Sequence, residues 1–457
     1  MSELKKNMIL TVKTEGYTSS GDAVCKPEGR AVFVKGALDG ETCEIKILKA
    51  AKHVAYARAE KILEPSPRRV VPKCPAFGKC GGCTLLHMDY TEQLRYKKQA
   101  VNDALRRIGG LDLEIAAIHE SPETEFYRNK VIYNIGRGRD GNIIYGFYRR
   151  ASHDIVPSQG CVIGFESADI ICRTVIDYMN RFGVEPYDPY KKTGKIRHVF
   201  IRRGRVSGQI QVGIISKTRS LPNISELTVS LCRACPDIVS IILNVNNNDG
   251  NTVLSGDFYT VFGTDAISDS LCGIDFSLSI RSFYQVNPLQ AENLYGKVLE
   301  YAALDKDDTA LDLYCGTGTI TLCLARRCRL AIGAEIVGDA IKNAEHNADF
   351  AGIKNVKFYC SDASDIAERF SADGFTPDVI TVDPPRKGLA PDVIEAICRM
   401  SPKRVVYVSC DPGTLSRDLK LFSALGYVAK IAECYDMFPN CSHVETVVKL
   451  EREAAEE

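Results

Sequence analysis

Apolar and polar positions alternate in short runs from residue 8 onward, at 8–13, 30–34, 44–49 and 54–63, with Ser20-Gly21, Glu28-Gly29 and Asp39-Gly40 between them. A period of two punctuated by turn pairs predicts a small all-β barrel. Pro65, Pro67 and Pro72 then break the pattern. Over 92–108 the period lengthens to that of a helix with Leu94, Val101, Leu105 and Ile108 on one face, stopped by Gly109-Gly110. Residues 126–280 read as mostly β, with runs at 131–135, 143–148, 199–203 and 209–215. From about 281 apolar strands alternate with helical stretches, at 310–314, 331–336, 356–359, 379–383 and 405–409. That rhythm predicts an α/β, Rossmann-like parallel sheet covered by helices. Three units are expected, at 1–66, 67–280 and 281–457, with the helix at 92–108 available to pack on the last; the acidic end 451–457 should fray.

Composition changes this picture little. The 457 residues carry 58 Lys and Arg against 58 Asp and Glu, so net charge does not announce a nucleic-acid partner. Segregation does: residues 126–205 hold 15 Lys and Arg against 7 Asp and Glu, interleaved with Tyr127, Tyr133, Phe147 and Tyr148. Such a surface suits a folded RNA. No apolar run reaches the roughly 18–20 residues of a membrane span, and MSELKKNMILTVKTEG lacks an apolar core or cleavage site. A cytoplasmic monomer without a membrane partner is expected. Eighteen cysteines in a chain of this size do not read as a disulfide framework. Most, such as Cys323, Cys328 and Cys398, read as small buried apolar groups.

Asp312-Leu-Tyr-Cys-Gly316-Thr-Gly318 lies between a strand and a helix, where glycines let the backbone approach a ligand. Glu335 follows 23 residues after Asp312, at the end of the next strand, placed to accept hydrogen bonds from ribose hydroxyls. Asp362 and Asp383 end later strands and should line the same crevice. Thr321 stands where a dinucleotide fold needs its third glycine, and no Walker lysine is present. An adenosyl ligand without pyrophosphate, S-adenosylmethionine, fits this pattern.

Asp383-Pro-Pro-Arg386 departs from the Asp/Asn-Pro-Pro-aromatic pattern of amino-directed methyltransferases and points away from an exocyclic nitrogen. Cys410 ends the strand at 405–409. A thiolate there suits a carbon target: addition to C6 of uracil makes C5 nucleophilic, and the sulfur later leaves. Arg386 and Arg417 are candidate donors to the thiolate. Glu445 is the candidate base for the C5 proton, with His443 as the alternative. Taken singly, Cys410 reads as a buried strand-end cysteine and Glu445 as a solvated acid; only the combination reads otherwise.

Cys74-x5-Cys80-x2-Cys83 needs a fourth ligand, and Cys161, in Ser158-Gln-Gly-Cys161, is the best candidate. Four thiolates hold zinc or an iron–sulfur cluster, and the spacing does not discriminate. Cys232-x2-Cys235 is a lone pair in a helical pattern and reads as core.

Ser-Phe-Tyr-Gln285-Val-Asn-Pro, Leu-Asp-Leu-Tyr314-Cys-Gly-Thr-Gly, Asp383-Pro-Pro-Arg, Val-Ser-Cys410-Asp-Pro-x-Thr-x-x-Arg417-Asp and His-Val-Glu445-Thr-Val together resemble the RNA uracil-5-methyltransferases. The resemblance covers nearly the whole chain. It implies that Gln285, Tyr314, Glu335 and Asp383 bind S-adenosylmethionine, that Cys410 is the nucleophile and that Glu445 removes the proton. Residues 1–63 resemble the RNA-binding, OB-like TRAM domain, through Gly36-Ala-Leu-Asp-Gly-Glu41 above all. The family's ribosomal-RNA branch carries a [4Fe-4S] cluster, which the resemblance assigns to Cys74, Cys80, Cys83 and Cys161 as a structural staple. The activity implied is methylation of uracil C5 in 23S ribosomal RNA through a covalent Cys–C6 adduct. Transfer-RNA uracil methylation, cytosine-5 methylation and a silent RNA-binding factor are the alternatives. Transfer-RNA members generally lack both the barrel and the cysteines.

Overall fold

The computed structural model describes residues 4–158, 160–250 and 252–453; residues 454–457 of the expected frayed end lie outside that set. The strands form three β-sheets of five, seven and eight strands and one two-stranded hairpin.

The first sheet orders Ile9–Lys13, Thr42–Ala50, Val54–Glu64, Ala31–Lys35 and Ala23–Cys25. Backbone bonds from Glu15 to Val24 and from Val24 to Gly16 bring its two edges together. Val12, Val32, Val34, Ile45 and Ile47 fill it. The Gly36–Glu41 stretch is an anchor. Glu41 is fully buried and accepts hydrogen bonds from the Leu38 and Ser66 amides and from Arg69 at 2.5 and 2.7 Å. A buried carboxylate so completely paired locks the barrel to the linker after it.

The second sheet orders Asp257–Gly263, Ile238–Val245, Ile210–Ser216, Ile196–Arg203, Lys130–Arg137, Ile143–Tyr148 and Ile155–Pro157. Two helices, Glu166–Arg181 and Ile224–Ala234, cover one face. The region is thus less purely β than its strand runs suggest. The second helix is the crossover between the parallel strands Ile210–Ser216 and Ile238–Val245, which a parallel pair requires. Cys235 ends that helix and is buried in the core, as its pairing with Cys232 suggests.

The third sheet runs Val356–Cys360, Leu330–Glu335, Thr309–Leu313, Val379–Val382, Arg404–Ser409, Glu445–Arg452, Tyr427–Tyr435 and Ala117–His119. The first five are mutually parallel and Glu445–Arg452 is antiparallel to both neighbours. The five parallel strands match the expected ones to within a residue; the four from Leu330–Glu335 to Arg404–Ser409 are buried on both faces and read as unbroken apolar runs, while Val356–Cys360 lies at the edge and is only partly buried. Strand order reverses between Thr309–Leu313 and Val379–Val382, which run parallel, and the strand ends on either side of such a switch point are where an open α/β sheet takes its ligand. Among the described residues no helix is long and apolar enough to cross a membrane.

The helix expected over 92–108 spans Tyr90–Ala104, capped by Asp89 on the Glu92 amide, and continues as a π-turn through Leu105–Gly109 to Gly110 in the left-handed region. Its buried face differs from the expected one. Ile108 is exposed, while Gln93 and Lys97 are buried beside Tyr96 and Val101. The polar pair faces inward because it holds the segment before Glu445, as described below. The same helix carries the barrel: Tyr17 donates to Glu92, Arg95 pairs with Asp39, and Tyr96 donates to the Ser19 carbonyl. The hairpin Ala266–Leu271 and Ile274–Ser279 packs into the core of the third sheet with helix Pro288–Ala302.

Candidate active site

The glycine loop leaves strand Thr309–Leu313 through three left-handed residues, Tyr314 (φ 67°), Gly316 (φ 55°) and Gly318 (φ 82°). Two of these are free of strain; Tyr314 is not, and non-glycine residues with that backbone cluster at ligand sites. Asp312 points inward. It is buried and accepts from Thr321 Oγ1 at 2.6 Å and Thr381 Oγ1 at 2.8 Å, and burial holds its carboxyl up at about 6. Thr321, in place of a third glycine, therefore pins the loop to the sheet. Glu335 accepts from the Gly316 amide at 3.3 Å and the Val337 amide at 2.9 Å, so its carboxylate stands at the mouth of the same loop. Asp362 is exposed and caps helix Ala363–Ala372 through the Ser364 amide; its charge still reaches Tyr314.

Gln285 comes in from the other wall. Asn129 donates to its carbonyl at 3.0 Å, and Asn287 caps helix Pro288–Ala302 while donating to Ser121 and to the Met437 carbonyl. The Gln285 side chain bonds Tyr295, a buried phenol that also meets Thr319 at 3.4 Å and feels the charge of Asp383. Tyr295 went unnoticed in the sequence, where a tyrosine inside an apolar helix reads as core. Its polar tip among Gln285, Thr319 and Asp383 marks it as part of the crevice.

Asp383, Cys410 and Glu445 end three adjacent strands or begin one, and they titrate as neighbours. Burial, then Glu445 and Asp383, push the Cys410 thiol up to about 11, while Arg386 pulls it down. Burial and Asp312 raise Asp383 to about 7. Glu445, 6% exposed, is raised well above its ordinary value by burial and by Asp383, and lowered by Arg386. Two carboxyls and a thiol thus meet at the strand ends, where Arg386 favours the charged forms of Cys410 and Glu445. Arg386 also meets His443 Nε2 at 3.2 Å, and burial and Arg386 keep His443 in its neutral form. Arg417 takes no part. It pairs with Asp418 and donates to the Lys387 and Leu389 carbonyls, clamping the loop after Asp383 to helix Pro412–Ala424. Of the two expected donors to the thiol, only Arg386 lies beside it.

The segment Asp436–Val444 delivers Glu445 and is gripped from the N-terminal side of the chain. Lys97 Nζ bonds Asp436 at 2.5 Å and the Phe438 carbonyl at 3.0 Å, both partners of the ion pair being fully buried. Gln93 and Asn440 exchange hydrogen bonds. The amides of Thr84 and Leu85 donate to the Asn440 carbonyl, and Cys441 Sγ to that of Gly82. None of these partners was legible, since each pairs residues more than 300 positions apart.

Cys74, Cys80, Cys83 and Cys161 line one cavity of about 590 Å³ with Pro75, Phe77, Leu86, Val131 and Ile163. Burial raises Cys80 and Cys161, and both also feel Cys74. Cys83 bonds a fifth thiol, Cys441, and feels Cys80 and Cys161. Among the described residues no group of three or more His, Cys, Asp or Glu is arranged to hold a metal ion. Cys323 and Cys328 are buried and Cys398 is partly so.

Residues 264–453 match the family described as tRNA (Uracil-5-)-methyltransferase, and residues 4–61 match the TRAM domain. RNA methyltransferases of Clostridium tetani and Bacillus cereus are each 39% identical, over 97% and 98% of this chain and 96% and 98% of theirs. The crystal structure of the Pyrococcus abyssi tRNA (uracil-54, C5)-methyltransferase in complex with S-adenosyl-L-homocysteine superposes with a TM-score of 0.78. It is 26% identical and covers 96% of this chain and 100% of its own.

Proposed function

Because the chain belongs to the RNA uracil-5-methyltransferase family, we propose that it methylates C5 of uracil in 23S ribosomal RNA through a covalent bond from Cys410 to C6. The clustering of Cys410, Asp383, Glu445 and Arg386 carries this reading. A thiol held up near 11 is inert at neutral pH, and so the pocket needs positive charge before it reacts. S-adenosylmethionine supplies the methyl group on a sulfonium cation. Gln285, Tyr314, Glu335 and Asp383 would hold it, and the crevice at the strand ends, with an unusual backbone at Tyr314 and carboxylates at Glu335 and Asp383, fits an adenosyl cation. Arg386 stabilises the Cys410 thiolate. Glu445 accepts the C5 proton once the methyl is in place: an acid raised by burial is a correspondingly strong base when ionised. Neutral His443 is occupied by Arg386 and serves less well.

Four soft thiols and a largely apolar cavity fit a [4Fe-4S] cluster better than zinc. Cys74, Cys80, Cys83 and Cys161 would be the ligands, one to each iron. Protein purified without oxygen should be brown and hold about four irons; colourless protein with stoichiometric zinc refutes the assignment.

The transfer-RNA reading is favoured by one observation: an archaeal enzyme acting on transfer RNA matches 96% of this chain, so a barrel alone does not separate the two substrates. The cysteine cavity supports the ribosomal reading. Nucleoside mapping of RNA from cells with and without the gene decides. Loss of 5-methyluridine from 23S ribosomal RNA supports the proposal, loss from transfer RNA alone replaces it, and 5-methylcytidine overturns both.

A further inference from the structure

A second cleft, of about 790 Å³, lies on the seven-stranded sheet away from the thiol pocket. The turn after strand Lys130–Arg137 forms one wall and the 185–194 loop another; Lys79 of the cysteine-bearing segment joins them. The backbone fixes that junction, since the Gly81 amide donates to the Tyr148 carbonyl and Cys80 bridges Arg149.

Charge in the cleft is one-sided. Lys79, Arg137, Arg139, Arg149, Lys191 and Arg197 outnumber Asp154, Glu185 and Asp188. Glu185 is taken by Arg137, and Asp188 by the Tyr190 and Lys191 amides. The side chains of Lys79, Arg139 and Arg149 are exposed and make no hydrogen bond or ion pair among the described residues. Cations left unpaired around a concave surface attract a polyanion. Two further features ask for more than phosphate. Tyr190 is 83% exposed on the rim, a ring face available for stacking. His198 lines the floor, is only 7% exposed, and its Nδ1 has no partner. Burial and Arg197 lower it to about 4, so it is a neutral imidazole at physiological pH. A buried ring nitrogen without a partner is costly unless a ligand meets it. A base edge does so; a phosphate oxygen would satisfy only one of the two tautomers.

We propose that this cleft is a second RNA-binding site, where Lys79, Arg139 and Arg149 hold the phosphodiester backbone and an unpaired base stacks on Tyr190 against His198. The proposal rests on the uracil-methyltransferase reading and extends it to the RNA outside the target. Arg128, two residues before the strand, lies over the Phe438 ring in the segment that delivers Glu445. The strand Lys130–Arg137 then carries the chain roughly 24 Å away. That is about seven stacked nucleotides at 3.4 Å each, so the enzyme reads RNA well beyond the reacting uracil.

The test uses the full chain, a fluorescein-labelled 20-mer oligouridylate and anisotropy across a salt series. Lys79→Ala with Arg139→Ala and Arg149→Ala should weaken binding at least tenfold and make the slope of log affinity against log salt shallower by about 2, at roughly 0.7 per lost contact. Tyr190→Ala should weaken binding about tenfold with the slope unchanged, as loss of stacking does. S-adenosylmethionine binding should be unaffected in both. Unchanged affinity and slope in both variants overturn the cleft, as does displacement of the RNA by poly-glutamate as readily as by unlabelled oligouridylate. Failure of the wild-type protein to form 5-methyluridine in any RNA would instead defeat the activity reading, while the binding changes would still report on the cleft.

Discussion

Cys410 and the set Cys74, Cys80, Cys83 and Cys161 are chemically alike; burial shifts Cys410, Cys80 and Cys161 upward, and the neighbouring Cys441 thiol, then burial, does the same to Cys83. What differs is the framework around them. Cys410 ends a strand in the middle of a sheet, between Asp383 and Glu445 whose places are set by strand register. The four others stand on turns around a cavity of about 590 Å³, outside any strand or helix. A site built on sheet ends is organised before anything binds; one built on turns around a void depends on what fills it. The first should respond to mutation through chemistry alone, and the second through structure.

The sharpest way to break that contrast is Cys410→Ala. Turnover should fall by about 10⁴-fold or more, as expected for loss of a covalent nucleophile. S-adenosylmethionine affinity, measured calorimetrically, should stay within about twofold, since the sheet does not depend on this side chain. Residual activity within tenfold of wild type would remove Cys410 from its role. Glu445→Gln comes next. General-base losses are about 10²–10⁴-fold, and because attack and methyl transfer precede proton removal, a protein–RNA adduct should survive denaturing electrophoresis. A slow variant without adduct would reassign the base, with His443 the next to test.

How much of this was legible follows the same divide. The four inner parallel strands and the residues at their ends read directly from the sequence, because a strand buried on both faces is an unbroken apolar run and its polar terminus stands out. Gln285 and Tyr314 came through family resemblance alone; a glutamine before a helix carries no signal of its own. Lys97 and Gln93 carry no signal of their own in the helical pattern, yet the helix buries them against Asp436 and Asn440. Arg417, a candidate donor to the thiol that the sequence alone does not place, turns toward Asp418 and the loop at Lys387. Periodicity reports which positions are apolar; it does not report which polar groups meet across hundreds of residues.

Cys80→Ser tests the other half of the contrast. It should bleach the protein and lower its Tm by about 2–8 °C, a change of about one to two kcal/mol for a unit of this size. Turnover should drop only about tenfold, through slackening of the Thr84 and Leu85 bonds to Asn440 and of the Cys441 bond to Gly82. Crevice residues are untouched, so S-adenosylmethionine affinity should hold. A loss as deep as that of Cys410→Ala, with the thermal midpoint unchanged, would mean that the cavity acts in the chemistry itself.

The smallest effect probes the charge balance of the organised site. Asp383 titrates at about 7 in the folded protein, raised by burial and then Asp312, against about 3.9 in an unfolded chain. The folded state therefore binds this proton more tightly. Its contribution to stability is complete below about 4 and is lost as pH rises through about 7. Glu445 acts in the same direction. A bound sulfonium cation reverses the preference, because it favours the ionised carboxylates it faces. Thermal stabilisation by saturating S-adenosylmethionine should accordingly be larger at pH 8 than at pH 5.5, by about 2–4 °C. Asp383→Asn should flatten the difference and raise the midpoint of the ligand-free protein at pH 8, since a neutral amide replaces a buried charge. An equal shift at both pH values would mean that the cation does not sit against Asp383, and would return that carboxyl to a purely structural place beside Asp312.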